Sequence, residues 1–197
     1  QAELWEYIPR NSNPCRGVSK YPDRKMNRFL SDEELARLNQ VLSEKTKADA
    51  ATKYTIAAFR LLIYTGCRLG EVLSLKWDDV NLKENFIHLK DSKVGERGIP
   101  LNESAKNVIL GLQKQVDNPY VFCGDKPGTH LVAIHKIWYR IRKKAGIPDV
   151  RIHDLRHSFA SFALKKGVSL YGVSKLLGHK NIATTTRYAH LELEELK

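Results

Sequence analysis

The stretch NFIHLKDSKVGERGIPL, residues 85–101, decides whether this sequence is purely helical or mixed. Its apolar runs, FIHL and GIPL, lie on either side of a segment that contains glycine, a pattern typical of two antiparallel strands joined by a turn. Pro100 has no N–H to donate, so it is expected on an edge strand or at a strand end. The stretch therefore predicts one small β-hairpin.

Helical spacing is found on both sides of this hairpin. Upstream, FLSDEELARLNQVL (29–42) contains a capping box of Ser31 and Glu34, and TIAAFRLLIYTG (55–66) indicates a buried helix that ends at Gly66. Further helical patterns occupy residues 104–116, 130–146, 154–167, 170–179 and 182–191. The predicted fold class is therefore mainly α with a small antiparallel β-sheet (α+β).

The first 28 residues differ from the rest, because prolines, Asn, Gly and charges follow only a short apolar patch. Such composition is typical of the end of one element that runs into a linker. We therefore expect the main domain to begin near Phe29 and to occupy residues 29–197, which is long enough for one well-buried core.

The formal net charge of +11 favours a polyanionic partner, with nucleic acid first, although a basic but otherwise ordinary enzyme is an alternative. The three cysteines are widely separated and odd in number, which indicates neither a disulfide framework nor a CxxC metal site. No apolar run approaches the length of a membrane span, and the N-terminus lacks signal-peptide order. A cytoplasmic protein without membrane partners is expected.

Two pairs of polar residues have helical spacing. Arg68 and Glu71 are three apart, as are His153 and Arg156, and either pair alone is commonplace on a helix. The segment HDLRH (153–157) is also similar to the zinc motif HExxH. However, Asp154 replaces the glutamate and the cation of Arg156 would oppose a metal, so no metal site is predicted.

The combination of candidates is more informative than any single residue. Arginine forks can bind the oxygens of a phosphate and meet the charge that develops on them. A tyrosine such as Tyr188 can supply the attacking oxygen, but with a pKa near ~10 it requires a proton acceptor and cationic surroundings. Arginines, a lysine, histidines and a tyrosine thus provide what a metal-free attack on a phosphodiester needs.

Three segments in chain order, TGCRLGEVLSLKWDDV (65–80), IHDLRHSFAS (152–161) and LLGHKNIATTTRYAH (176–190), resemble the motif boxes of the tyrosine recombinases, the phage integrase family. The resemblance covers roughly residues 29 to 190 of the catalytic domain. It assigns as catalytic residues Arg68, Lys93, His153, Arg156, His179 and Tyr188, with Glu71 and His157 in support. Lys90 is an alternative to Lys93, since the hairpin varies in length in this family.

The resemblance implies a chemical scheme. Tyr188 attacks a DNA phosphate and forms a 3′-phosphotyrosyl bond, while Lys93 protonates the departing 5′-hydroxyl. In this scheme His153 handles the tyrosine proton and His179 helps to hold the scissile phosphate. Reversal by another 5′-hydroxyl rejoins the strands with no cofactor.

The resemblance also implies partners. They are double-stranded DNA attachment sites, a homotetramer in the synaptic complex and accessory DNA-bending proteins, whereas this piece of chain alone is expected to be monomeric. Residues 1–28 would be the end of a core-binding domain plus a linker, and the acidic tail after Tyr188 would pack on a neighbouring protomer. The expected setting is a prophage or mobile element, with the protein on the bacterial nucleoid. A DNA-relaxing enzyme of the type IB topoisomerase kind and a non-catalytic DNA-binding regulator are alternatives.

Overall fold

The computed structural model describes residues 2–9, 11–12, 16–19, 28–48, 52–90, 95–179 and 181–189. The predicted hairpin lysine, Lys93, and the acidic tail (191–197) lie outside these described residues. The helices are α1 (Asp32–Ala48), α2 (Lys53–Thr65), α3 (Leu69–Leu73), α4 (Glu103–Leu110), α5 (His135–Lys144), α6 (Ile152–Lys165) and α7 (Leu170–Leu177). Among the described helices, none is both long and apolar enough to span a bilayer.

The start of α1 follows the predicted capping box. The hydroxyl of Ser31 accepts the N–H of Glu34 at 3.2 Å, and the Glu34 carboxylate accepts the N–H of Ser31 at 3.0 Å. Each bond satisfies a backbone donor that the first helical turn leaves without a partner. The domain therefore begins its first helix where the sequence predicts it.

The sheet contains three antiparallel strands, β1 (Val80–Asn81), β2 (Phe86–Leu89) and β3 (Arg97–Pro100), in the order β1-β2-β3. The buried residues Ile87 and Ile99 face each other in the β2–β3 register, and Pro100 lies at the end of the edge strand β3. The predicted hairpin is thus confirmed. The additional strand β1 has only two residues, which is too short to leave a periodic pattern.

Helix α2 lies at the centre of the main core, because it is apolar around most of its circumference and packs against α1, α3, α4 and α6. It ends at Gly66, whose φ of 63° is left-handed. A Cβ atom at this position would lie 2.3 Å from the ring of Phe159 on α6. Only glycine therefore allows α2 to end this close to α6.

The C-terminal part of the fold differs from the prediction. One helix is predicted over residues 182–191, but the described part of this segment, up to residue 189, has two single 3₁₀ turns, Ile182–Thr184 and Thr186–Tyr188. The β-branched run Thr184–Thr186 explains the difference, since such side chains have low helix propensity. Tyr188 is consequently held by packing, in a small apolar cluster with Ala160 and Leu164 of α6 and Val173 and Leu177 of α7.

Candidate active site

The end of helix α7 holds three arginines. Three consecutive backbone carbonyls each accept a hydrogen bond from a different guanidinium: Leu176 from Arg97 (2.9 Å), Leu177 from Arg156 (2.6 Å) and Gly178 from Arg68 (3.2 Å). Carbonyls in the last helical turn have no partner within the helix and carry the negative end of its dipole. The motif LLG thus provides a backbone acceptor site for cations.

Arg68 is held from its other side by Glu71. The Glu71 carboxylate accepts the Arg68 guanidinium at 2.7 Å and the Arg68 backbone N–H at 2.8 Å, which also caps α3. Burial alone would raise the pKa of Glu71, but the backbone N–H and the guanidinium groups of Arg97 and Arg68 outweigh it and lower the pKa. Glu71 is therefore an ionised carboxylate that fixes the orientation of Arg68, and its supporting role in catalysis stays a prediction.

Arg156 is buried, with 4% of its surface exposed. Its guanidinium donates to the carbonyls of Gly66 and Leu177, both at 2.6 Å, so it joins the ends of α2 and α7. Burial, and then the neighbouring cations Arg68 and Arg97, lower its pKa to about 10. The group keeps its charge at neutral pH, but that charge is destabilised until an anion approaches.

The histidine that contacts Tyr188 is His157. The Tyr188 hydroxyl and Nδ1 of His157 form a short hydrogen bond, while His153 is exposed and its ring lies edge-on to His157 at 4.8 Å. Burial, then His153 and Arg187, lower the pKa of His157 to about 4, so the imidazole is neutral at pH 7. His157 is thus the histidine within hydrogen-bond reach of the tyrosine proton, while the role expected for His153 stays a prediction.

The tyrosine itself is only 5% exposed. Burial raises its pKa, and the nearby cations Arg187 and Arg156 offset part of that increase. The hydroxyl is thus protonated at neutral pH. An acceptor such as neutral His157 is needed before its oxygen can act as a nucleophile.

His179 follows Gly178 directly and lies beside the arginine cluster. Its Nδ1 bonds the hydroxyl of Thr185 at 2.7 Å, which connects the end of α7 to the 3₁₀ turn that carries Tyr188. Burial, then Arg156, Arg68 and Arg97, lower the pKa of His179 to about 4. A neutral imidazole with a fixed ring can still donate one hydrogen bond to an oxyanion.

The carboxylate of the zinc-like segment HDLRH, that of Asp154, caps helix α6. Asp154 is fully buried and accepts the backbone N–H of Arg151 and its guanidinium, both at 2.7 Å. These bonds cap the first turn of α6, where a negative charge is favourable. No group of three or more His, Cys, Asp or Glu within the described ranges could hold a metal ion.

Lys90, the alternative to Lys93, is exposed at the end of β2. It lines a cavity of about 460 Å³ together with Glu71, Asp78 and Asp79. A second cavity, of about 570 Å³, lies beside the site and is lined by His153 and Arg156 as well as by Cys67, Trp138 and Tyr139. Arg156, one of the three clustered arginines, thus faces a concave surface.

Arg97 was not among the residues predicted from the sequence. It lies at the start of β3, and its guanidinium donates to Glu71 at 2.6 Å as well as to Leu176. The sequence offers little signal for this role, since an arginine in a hairpin is usually solvated. Its long-range partners, 26 and 79 residues away, become visible only in the fold.

Fold and site together define a class of protein. A mainly helical domain with a small sheet gathers guanidinium groups around a helix end, and a buried tyrosine bonded to a neutral histidine lies next to them. Such a site is suited to a phosphate ester and to a protein nucleophile.

The model of the phage integrase family matches residues 28–195, and the chain belongs to that family. Tyrosine recombinase XerA of Saccharolobus solfataricus is 32% identical over 170 residues, which cover 84% of this chain and 55% of that relative.

Solved structures agree. The crystal structure of XerA recombinase superposes with a TM-score of 0.72 at 31% identity, over 88% of this chain and 65% of that one. The XerH site-specific recombinase bound to its difH substrate, a pre-cleavage complex, has a TM-score of 0.72 at 25% identity, over 98% of this chain and 60% of that one. This chain thus spans somewhat more than half of the length of these proteins.

Proposed function

We propose that this chain is the catalytic part of a site-specific DNA recombinase that cleaves and rejoins strands through a 3′-phosphotyrosyl intermediate. The observation that carries the proposal is the bond between the Tyr188 hydroxyl and neutral His157, one residue after the buried cation Arg156. Membership of the phage integrase family supports it. So does the similarity to the XerH site-specific recombinase, whose structure is a pre-cleavage complex with its difH substrate.

In the proposed reaction, Arg68 and Arg156 bind the non-bridging oxygens of the scissile phosphate and His179 donates a further hydrogen bond. The described bonds of each arginine to protein groups use two of its five N–H donors, so donors remain for phosphate. As the bond from the tyrosine oxygen to phosphorus forms, the phenolic proton passes to a histidine. The proximity to Tyr188 favours His157 for this role, with His153 next to it.

The bond from phosphorus to the 5′-oxygen breaks at the same time, and that oxygen needs a proton. We assign this proton to Lys93, with Lys90 as the alternative. The phosphoester energy is kept in the tyrosine ester, so a 5′-hydroxyl from another duplex can reverse the reaction. The protein groups named here supply the charge stabilisation and the proton transfers in this scheme.

The surface proposed to bind the DNA backbone includes helix α5. Its exposed side chains Lys136, Arg140 and Lys143 are cationic, and Tyr139 is exposed among them. Lysine and arginine contacts to phosphates position a duplex without reading its sequence.

We also propose that residues 1–28 end a core-binding domain, that residues 29–197 form the catalytic domain, and that synapsis requires a homotetramer. A mobile-element origin stays a prediction.

A covalent-capture experiment tests the proposed function. The chain is mixed with duplexes of randomised sequence that carry a nick, so that the short strand with the 5′-hydroxyl diffuses away and the adduct accumulates. We expect an adduct that withstands denaturation, forms in EDTA and is absent for Tyr188→Phe, which removes one oxygen and little packing area. An adduct that persists in Tyr188→Phe would assign the nucleophile elsewhere, with Tyr171 next.

The same experiment separates the alternatives. Transfer of the captured strand to a second duplex supports the recombinase. Relaxation of a supercoiled plasmid without exchange would indicate the topoisomerase-like enzyme. DNA binding with no adduct on any duplex would contradict the proposal and favour the regulator.

A further inference from the structure

Arg97 contacts Glu71 and the carbonyl end of helix α7, the two parts of the structure that also hold Arg68. Arg68 is anchored by Glu71 at 2.7 Å and by the carbonyl of Gly178 at 3.2 Å. Arg97 donates to the other oxygen of the same carboxylate at 2.6 Å and to the carbonyl of Leu176, in the same helix end, at 2.9 Å. These bonds form a closed ring, so the position of Arg97 determines how the two anchors of Arg68 are spaced.

The ring is well shielded from water. The side chains of Arg97 and Glu71 are 10% and 9% exposed. Removing one partner of a buried ion pair leaves the other charge uncompensated, so the geometry of such a pair is strongly maintained. The fork of arginine matters as well, because it can reach a carboxylate and a carbonyl together, whereas a lysine ammonium is a single point.

Gly178 leaves room for this arrangement. A Cβ atom at that position would lie 2.6 to 2.9 Å from atoms of the Arg97 side chain. The backbone at Gly178 also has a φ of 63°, which favours glycine. The glycine of LLGH therefore serves the approach of Arg97 in addition to ending α7.

The charge balance argues against a purely structural role for Arg97. It is a third guanidinium near a single carboxylate, and it contributes to the lowered pKa values of Arg156 and His179. Repulsion of this kind is relieved when an oxyanion binds between the cations. The third guanidinium thus strengthens phosphate binding but destabilises the fold when no anion is bound.

We infer that Arg97 is a positioning residue that orients Arg68 toward the phosphate, through Glu71 and the carbonyl end of α7. The inference rests on the proposed function. Arg97 acts on Arg68 and has no direct role on the reacting atoms.

The first test measures sulfate, a phosphate mimic, by thermal shift at constant ionic strength. Arg97→Lys keeps the charge but holds only one partner, so we expect its sulfate affinity to fall by roughly 10-fold, the lower end of the range for groups that orient a metal ligand. In an Arg68→Ala background the same change should have less than about a two-fold effect, because coupled residues are not additive. Arg37→Lys, which loses a guanidinium bond to Ala145 in the contact of α1 with α5, is the matched control and should bind sulfate as the unmutated chain does.

Two results of this test would overturn the inference. Unchanged sulfate affinity in Arg97→Lys would mean that Arg97 does not determine the orientation of Arg68. An equal loss with and without Arg68 would mean that Arg97 binds the anion by itself.

The second test uses a duplex that the unmutated chain captures, made with oxygen or with sulfur at the 5′-bridging position. We expect Arg97→Lys to form adduct ~10-fold or more slowly on both substrates, because the defect is in phosphoryl charge stabilisation rather than in the leaving group. Rescue by sulfur would mean that Arg97 acts through the hairpin lysine that protonates the leaving group, and this result would refute the inference. If the unmutated chain captures no duplex, the proposed function fails, while the sulfate comparison still decides the role of Arg97.

Discussion

The two neutral histidines make the stability of this domain sensitive to mild acid. His157 and His179 have pKa values lowered to about 4 in the fold, whereas an unfolded histidine titrates near ~6.5. Between these values the unfolded chain binds more protons than the folded one. Stability is therefore fully present above about pH 6.5 and is lost as the pH falls toward 4.

The size of the effect follows from the same values. At pH 5 a histidine with these two pKa values destabilises the fold by at most about 2 kcal/mol. His157 is buried and should approach this figure, whereas partial exposure of His179 reduces its share. We expect a total loss of about 3 kcal/mol between pH 7 and pH 5, a window in which most carboxylates stay ionised.

The assay is denaturant unfolding at both pH values. His157→Gln keeps a hydrogen-bonding group for Tyr188 but cannot titrate, so the pH-dependent loss should shrink by about two thirds. His88→Gln, at an exposed position of β2, is the control and should retain the full loss. Equal losses for the unmutated chain and for His157→Gln would refute the reasoning, because another group would then take up the protons.

Three further outcomes are expected. Gly66→Ala should destabilise the fold by about 2–4 kcal/mol, from left-handed strain and the 2.3 Å approach to Phe159, whereas Gly70→Ala, with open space around it, should not; denaturant unfolding measures both. Lys93→Ala should be slow with a 5′-oxygen substrate, by ~10²–10⁴, and nearly normal with 5′-sulfur; rescue of Lys90→Ala instead would identify Lys90 as the acid. DNA affinity should fall steeply with salt, and a flat profile would contradict a phosphate-dominated contact.

Local features of the fold were predictable from sequence, because they depend on neighbours in the chain. The box of Ser31 and Glu34 and the glycine at the end of α2 follow from helix-end chemistry. The strand β1 and the 3₁₀ turns before Tyr188 were not predictable, since tertiary packing decides such short segments.

In the candidate site, too, features that depend on chain neighbours were predictable and features that depend on tertiary contacts were not. A motif can indicate residue types and order, but it contains no information on backbone acceptors. Arg156 finds its partners at Gly66 and Leu177, and neither carbonyl is encoded by a side chain. The choice between His153 and His157 is also a tertiary matter, because residues four apart share a helical face. The position of Tyr188 then decides which of the two rings its hydroxyl contacts.

The acceptors at the end of α7 are backbone atoms, and this links phosphate recognition to a local folding equilibrium. Helix α7 has only eight residues, and a helix of this length is marginal without its tertiary contacts. Fraying of its last turn would release three guanidinium groups together, and reforming that turn would gather them again in one cooperative step. A ligand that stabilises this turn therefore orders all three guanidinium groups. Amide hydrogen exchange in the last turn of α7 measures how often the site is formed.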